Sequence, residues 1–217
     1  MGRWATFDCY GTLIDWNGGI GRELERLFGA DETARLLAGY HEVERELEHE
    51  EPDATYRSVL TGGLVRLAGR EGLELPADEE DALARSLPSW QPFAEVASAL
   101  DDARRRGWQL AILSNTDRDY LDASMARIGV PFDLSIVASE IGSYKPGLRH
   151  WEVFAERATP TEHVHVGASL YHDVAPATGL GVSTIWINRL GEDAEPVPDV
   201  ELHSLTGLGE ALDSLAA

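Results

Sequence analysis

The sequence predicts an α/β fold: a doubly wound, mostly parallel sheet into which an all-helical unit is inserted. Two patterns carry this prediction. Beyond residue 93, short runs that are almost continuously apolar, such as Trp108 to Leu113 and Thr184 to Ile187, alternate with amphipathic stretches. That is the texture of strands buried on both faces and joined by crossover helices. Between Gly18 and Leu87, in contrast, apolar residues recur only at helical spacing. With 217 residues, 43% of them hydrophobic, the chain can bury one substantial core and a smaller appended unit.

The elements follow in order. Arg3 to Phe7 reads as a short buried strand with Asp8 at its carboxyl end, and Gly11 and Thr12 begin a turn. The helical stretch then presents Leu24, Leu27 and Phe28 on one face, Leu36, Leu37, Tyr40, Val43 and Leu47 on the next, and Tyr56, Val59, Leu60, Leu64 and Leu67 on a third. Pro52 starts or precedes the third of these helices, Gly72 ends it, and Pro76-Ala77-Asp78 opens the last. Pro88 to Phe93, with two prolines, is a connector. Helices are then expected at Phe93 to Arg106, Arg118 to Ile128, Gly147 to Ala158, Val174 to Gly179 and Leu205 to Leu215. Strands are expected at Trp108 to Leu113, Leu134 to Ala138, around Val164 to Val166, and at Thr184 to Ile187. In such sheets functional residues collect at the carboxyl ends of the strands.

Composition excludes several function classes. A formal charge of -20 and a pI near 4.6 argue against a phosphate-backbone binder, so nucleic acid is not expected as a partner. One cysteine, Cys9, leaves no internal disulfide, and neither a basic leader nor a membrane-length apolar run is present. A cytoplasmic protein is expected, with no membrane partner. The acidic stretches Glu42 to Glu51 and Asp78 to Asp81 read as solvated helical faces. An anionic substrate would therefore need a local positive site. Lys145 is the one lysine beside seventeen arginines in a total of 18 basic residues, and suits a site that needs a compact ammonium.

Asp8, Ser114 with Asn115, Lys145 and Asp173 each follow a predicted strand, and so should converge on one crevice. A strand-end carboxylate can act as a nucleophile and split a substitution into two steps through an ester; Asp8 is the candidate, the plain alternative being a turn cap. Lys145 beside it would keep it ionised, since a nearby opposite charge lowers a carboxylate pKa. Thr12, Ser114 and Asn115 offer short donors for a carboxylate or an anionic intermediate, or else serve as turn and cap residues. His163 and His165 alternate on one strand face and lack an obvious third metal ligand.

Asp8, Ser114, Lys145 and Asp173 match, in order, the four motifs of the haloacid dehalogenase superfamily, which the chain resembles over nearly its whole length. The resemblance implies a Rossmann-like catalytic core at 1–14 and 91–217 and a helical cap at 15–90. Asp8-Cys9-Tyr10-Gly11-Thr12, Ser143-Tyr144-Lys145-Pro146 and Trp186-Ile187-Asn188-Arg189 resemble the L-2-haloacid dehalogenase branch in particular. Phosphatases of the superfamily carry a second aspartate two residues after the nucleophile, as general acid for an alkoxide. Here that position is Tyr10, and a departing halide needs no proton. The resemblance further implies Asp173 as the water-activating aspartate, and a substrate contact from Tyr10 and Cys9. The halide-receiving arginine of the branch corresponds to His41, and a tyrosine after the motif lysine to Trp151, both taken as substrate-binding. The branch's serine and asparagine beside the water-activating aspartate correspond to Ala168 and Leu170.

These readings predict a hydrolase that releases halide from a small 2-haloacid through an aspartyl ester on Asp8. The expected partner is a small carboxylate substrate, with a homodimer as the oligomer such enzymes often form. No metal or cofactor is expected. The alternatives are a magnesium-dependent phosphatase using Asp8, the Tyr10 carbonyl and Asp173, or hydrolysis of another carbon-heteroatom bond.

Overall fold

The computed structural model describes residues 2–52 and 54–216. Its strands are β1 (Gly2–Phe7), β2 (Trp108–Ser114), β3 (Leu134–Val137), β4 (Pro160–Gly167), β5 (Ser183–Ile187) and β6 (Val200–Leu202). Its helices are α1 (Trp16–Phe28), α2 (Thr33–Glu50), α3 (Tyr56–Glu71), α4 (Ala82–Ser86), α5 (Val96–Arg105), α6 (Arg118–Ile128), α7 (Ala138–Ile141), α8 (Arg149–Arg157), α9 (Ala175–Gly179) and α10 (Leu208–Leu215). The strands form one sheet in the order β3-β2-β1-β4-β5-β6, and every adjacent pair is parallel. The order reverses at β1, so the crevice at its carboxyl end is the switch point where such sheets bind ligands. Ala5 and Phe7 of β1 are fully buried, as a strand covered on both faces requires. The Asp8 amide still donates to the Val166 carbonyl at 3.0 Å, which makes Asp8 the last residue fixed by the ladder.

Between β1 and β2 the four helices α1 to α4 precede α5. Asp15 caps α1 by accepting from the Gly18 amide at 2.9 Å, Thr55 caps α3, and Gly72 ends α3 in the left-handed conformation. Leu36, Tyr40, Val43 and Leu47 of α2 pack with Val59, Leu60, Leu64 and Leu67 of α3 in one apolar cluster. That cluster runs on without a break into Leu13, Ile14, Trp90 and the sheet, so the helices sit directly over the strand ends.

Several expected boundaries are corrected. α5 begins at Val96 instead of Phe93, because the Phe93 amide is tied to the Leu13 carbonyl at 3.0 Å. The third strand stops at Val137, where α7 begins with Ala138, and α8 starts at Arg149, after a turn closed by the Gly147 amide on the Tyr144 carbonyl. The helix expected at Val174 follows a wide turn from Leu170 to Val174 and runs from Ala175. The last helix starts at Leu208, and the edge strand β6 was not anticipated. Among the described residues no helix is long and apolar enough to cross a membrane.

Candidate active site

Asp8 opens a loop that turns back on itself at once. The Leu13 and Ile14 amides both donate to the Cys9 carbonyl, at 2.8 and 2.9 Å. Gly11 takes φ 89°, a conformation that glycine reaches without steric cost. The turn brings Thr12 onto the carboxylate: its Oγ1 donates to Asp8 Oδ2 at 2.8 Å and accepts from the Ala168 amide at 2.9 Å. Thr12 is therefore a strut between the first and fourth strand ends, and its side chain is fully buried.

Lys145 occupies the centre. Its Nζ donates to Asp8 Oδ1 at 2.9 Å and to Asp173 Oδ1 at 2.6 Å, with only 1% of the side chain exposed. Asn115 holds the lysine's main chain at both ends, accepting from its amide at 2.6 Å and donating from Nδ2 to its carbonyl at 3.0 Å. Asp173 Oδ1 also lies 3.3 Å from His165 Nε2, and Oδ2 accepts from the Ser169 amide at 3.2 Å. Burial works against the Lys145 ammonium, but Asp173 and Asp8 outweigh it and raise its pKa. Burial likewise works against the Asp173 carboxylate, and Lys145, with help from His165, pulls its pKa far down. The expectation for Asp8 is corrected: burial lifts its pKa above the ordinary value, and the pull of Lys145, opposed by the charge on Asp173, does not reverse this. One ammonium serves two carboxylates, at 2.9 Å from Asp8 and 2.6 Å from Asp173.

Above this triad lies a cavity of about 690 Å³, lined by Asp8, Tyr10, Ser114, Asn115, Lys145 and Asp173 from the sheet side and by Trp16, Asn17, His41, Glu44, Glu48 and Tyr56 from the helices. Its size suits a small molecule. Tyr10 forms one wall, with its ring 5.9 Å from that of Tyr56 and edge-on to Trp90 at 6.2 Å; its hydroxyl pairs with Ser124 Oγ at 3.0 Å. Ser114 Oγ is buried without a partner among the described residues, while the Ser114 carbonyl meets His150 Nε2 at 3.1 Å. Burial pushes the His150 pKa down to about 3, so the ring is a neutral donor there.

His41 lines the cavity but is engaged: Nε2 meets Asn17 Oδ1 at 2.9 Å, and the ring stacks on Trp16 at 4.7 Å. Burial, then Arg45, lowers its pKa, which works against the cation that would receive a halide. His172 lines the cavity with Nδ1 near Ser169 Oγ at 3.2 Å and Nε2 3.4 Å from Glu48. His163 and His165 both meet the Thr6 hydroxyl.

Two residues expected at the substrate lie elsewhere. The Cys9 side chain alternates to the far side of the loop and is fully buried in the main apolar cluster. Trp151 points from α8 under the sheet, edge-on to His165 at 5.2 Å, among Trp4, Ile136 and Phe154. The resemblance to the dehalogenase branch placed it at the cavity, but from α8 it packs among Trp4, Ile136 and Phe154.

The acidic run is also corrected, because Glu44 is buried and lines the cavity instead of facing water. Its Oε1 accepts from the Tyr56 hydroxyl at 2.9 Å, and that hydroxyl accepts from Trp16 Nε1 at 2.9 Å. Burial first, and Glu48 second, raise the Glu44 pKa well above the ordinary value. A carboxyl with a raised folded pKa contributes stability fully below its unfolded pKa of about 4.3, and that stability is lost as pH rises toward the folded value. Glu44→Gln, which keeps the acceptor for Tyr56 and never ionises, should therefore be the more heat-stable protein at alkaline pH. The advantage should open between about pH 5.5 and about pH 8.5 to on the order of 2–4 °C in melting temperature. Melting curves that stay parallel across that range would show Glu44 to be ordinarily solvated. Only the helical period around Tyr40 and Val43, which puts position 44 beside them, hinted at its burial.

The magnesium alternative would rest on two side chains, Asp8 and Asp173, together with the Tyr10 carbonyl. Among the described residues no group of three or more His, Cys, Asp or Glu side chains is arranged to hold a metal, and Lys145 bridges the two carboxylates such an ion would share.

Comparison with known proteins adds three findings. A family model described as haloacid dehalogenase-like hydrolase matches residues 3–181. The (S)-2-haloacid dehalogenase of Pseudomonas sp. (strain YL) is 30% identical over 97% of this chain and 94% of its own length. The structure of L-2-haloacid dehalogenase from Xanthobacter autotrophicus with chloropropionic acid covalently bound superposes with a TM-score of 0.84 at 21% identity, covering 99% of this chain and 100% of that one.

Proposed function

From the premise that the chain belongs to the haloacid dehalogenase-like hydrolases, we propose that it hydrolyses a small 2-haloacid in two displacements. The observation that carries this reading is Tyr10, which stands two residues after Asp8 with its hydroxyl turned to Ser124. That position offers no acid for an oxygen leaving group, and a halide needs none. The covalent complex of the Xanthobacter autotrophicus enzyme with chloropropionic acid supports the same chemistry.

In the first step a carboxylate oxygen of Asp8 attacks the carbon bearing halogen. A carbon-oxygen bond forms, the carbon-halogen bond breaks, and halide leaves with the electron pair. Lys145 and Thr12 orient Asp8 for in-line attack. In the second step water, giving a proton to Asp173, attacks the Asp8 ester carbonyl. The tetrahedral intermediate collapses by breaking its bond to the substrate oxygen, which takes that proton from Asp173 and leaves as a 2-hydroxy acid, while the remaining water proton passes to solvent and Asp8 is freed as a carboxylate. The Lys145 ammonium beside both carboxylates stabilises the oxyanion that forms. Ser114 Oγ, without a partner among the described residues, is available to the substrate carboxylate. Residues 15–90 act as a cap that excludes bulk water and selects the substrate.

Glu44 favours a second reading. A carboxyl at the cavity wall whose pKa burial raises would serve as proton donor to an oxygen leaving group, which would make the bond cleaved carbon-oxygen. Chloride and phosphate release should be screened side by side, with and without magnesium, together with strained-ring acids, on wild type, Asp8→Asn and Glu44→Gln. Chloride release that falls on the order of 10⁴-fold or more in Asp8→Asn and is indifferent to Glu44→Gln supports the first reading. A single turnover in heavy-oxygen water should place label in Asp8; label confined to the product would sink the ester.

A further inference from the structure

Behind Asp173, on the side of the sheet away from the cavity, lies a chain of polar side chains that the two-step scheme leaves unused. His165 Nε2 is 3.3 Å from Asp173 Oδ1, His165 Nδ1 is 2.9 Å from Thr6 Oγ1, and Thr6 Oγ1 is 2.9 Å from His163 Nε2. The sheet builds this row. Thr6 of β1 is in register with His165 of β4, and His163 lies two residues earlier, so all three side chains leave the same face. Helix α8 seals them in, with Trp151 edge-on to His165 and the Phe154 ring 4.6 Å from that of His163. His165, Thr6 and Asp173 are all buried.

One direction of hydrogen bonding satisfies every member. A carboxylate only accepts, so His165 presents Nε2–H to Asp173. In that tautomer His165 Nδ1 accepts from the Thr6 hydroxyl. The Thr6 oxygen in turn accepts from Nε2–H of His163, a neutral ring whose pKa burial lowers to about 3. The row ends on a carboxylate whose Oδ1 is fixed by Lys145 and His165 together, while Oδ2 holds only the Ser169 amide and keeps a lone pair for water.

We propose that His165, oriented by Thr6 and His163, is a positioning residue that aims Asp173 at the hydrolytic water and thereby governs the second half-reaction. The inference rests on the reading of Asp173 as the water-activating group. His165 touches neither substrate nor reacting atoms, and it acts through the rotamer of Asp173. The first displacement, which uses Asp8 and Lys145, should not feel its loss.

The test is rapid-quench and steady-state kinetics with (S)-2-chloropropionate on wild type, Asp173→Asn, His165→Leu, His165→Gln and Thr6→Val, with the Asp8 ester followed by intact mass. In His165→Leu, ester hydrolysis should slow about 10- to 100-fold, the range set by losing a hydrogen bond to a charged group. kcat and KM should fall together, kcat/KM should hold, and ester should accumulate. Thr6→Val, nearly isosteric, should shift the same quantities in the same direction by less, and His165→Gln, which retains an N–H donor, should recover part of the loss. A fall in kcat/KM without ester in His165→Leu and Thr6→Val, or unchanged kcat in both, overturns the proposal while the ester seen in Asp173→Asn leaves the function standing. Absence of ester in Asp173→Asn as well overturns both.

Discussion

Lys145→Met should abolish turnover and lower stability by about 3–5 kcal/mol, the cost of removing one partner from a buried ion pair. In melting temperature that is a fall of roughly 6–20 °C for a chain of this size. The cause is local. Asp8 Oδ1 and Asp173 Oδ1 are both held by the same Nζ, so its removal leaves two buried carboxylates facing each other with no counter-charge. The pH dependence of the loss follows from its sign. Without the ammonium, both carboxyls have folded pKa values above their unfolded ones, so the variant is least impaired in acid, where a proton replaces the cation, and worst as pH rises. Calorimetry of wild type and variant between about pH 5 and about pH 8 should show the gap widening with pH; a constant gap would mean that packing, not charge, is lost.

Lys145→Arg separates the charge from its shape. The guanidinium keeps the positive charge, so stability should recover in part. It is planar and larger than an ammonium, and the Asn115 clamp fixes where its side chain begins. The fork cannot put one nitrogen within reach of both Oδ1 atoms without displacing a carboxylate. A displacement of about 1 Å costs on the order of 100-fold in rate, and kcat should fall at least that far. Full activity in Lys145→Arg would reduce the solitary lysine to a compositional accident.

The strands were legible in the sequence because burial on both faces leaves an unbroken apolar run, and the chemistry-bearing residues were legible because each follows such a run. Where reading failed, the missing information was three-dimensional. β6 is a three-residue edge strand, Val200–Leu202, half exposed and preceded by a proline-rich stretch, and its Val-Glu-Leu alternation is too short to stand out. Trp151 was placed by ungapped correspondence with the dehalogenase branch, which does not show which face of α8 (Arg149–Arg157) the position occupies. Glu44 disappears into a run of acidic residues, and its burial depends on α3 packing beside α2. Thr6 and His165 are 159 positions apart, and only the register between β1 and β4 makes them partners. The pull of Lys145 on Asp8 was foreseen, but not that a second buried carboxylate competes for it.

Gly167→Ala should be nearly as damaging to catalysis as a change in Asp173 itself, although residue 167 has no chemistry. A Cβ built on Gly167 falls 2.4 Å from Asp173 Cβ and 2.5 Å from both Cγ and Oδ2, well inside van der Waals contact. Asp173 cannot retreat, because Lys145, His165 and the Ser169 amide hold it on its other sides. The carboxylate must rotate and give up at least one of these partners. Overpacking of this kind costs about 1–3 kcal/mol in stability, and a misplacement near 1 Å costs on the order of 100-fold in rate. Because Asp8 keeps Thr12 and Lys145, the loss should fall on ester hydrolysis, with the Asp8 ester visible by mass in the steady state. Gly69→Ala is the control: nothing lies within 4 Å of a Cβ there, the site is inside helix α3, and alanine should gain up to about 1 kcal/mol without touching activity. If both alanine variants turn over at the wild-type rate, the close approach of β4 to Asp173 is not what sets the carboxylate in place.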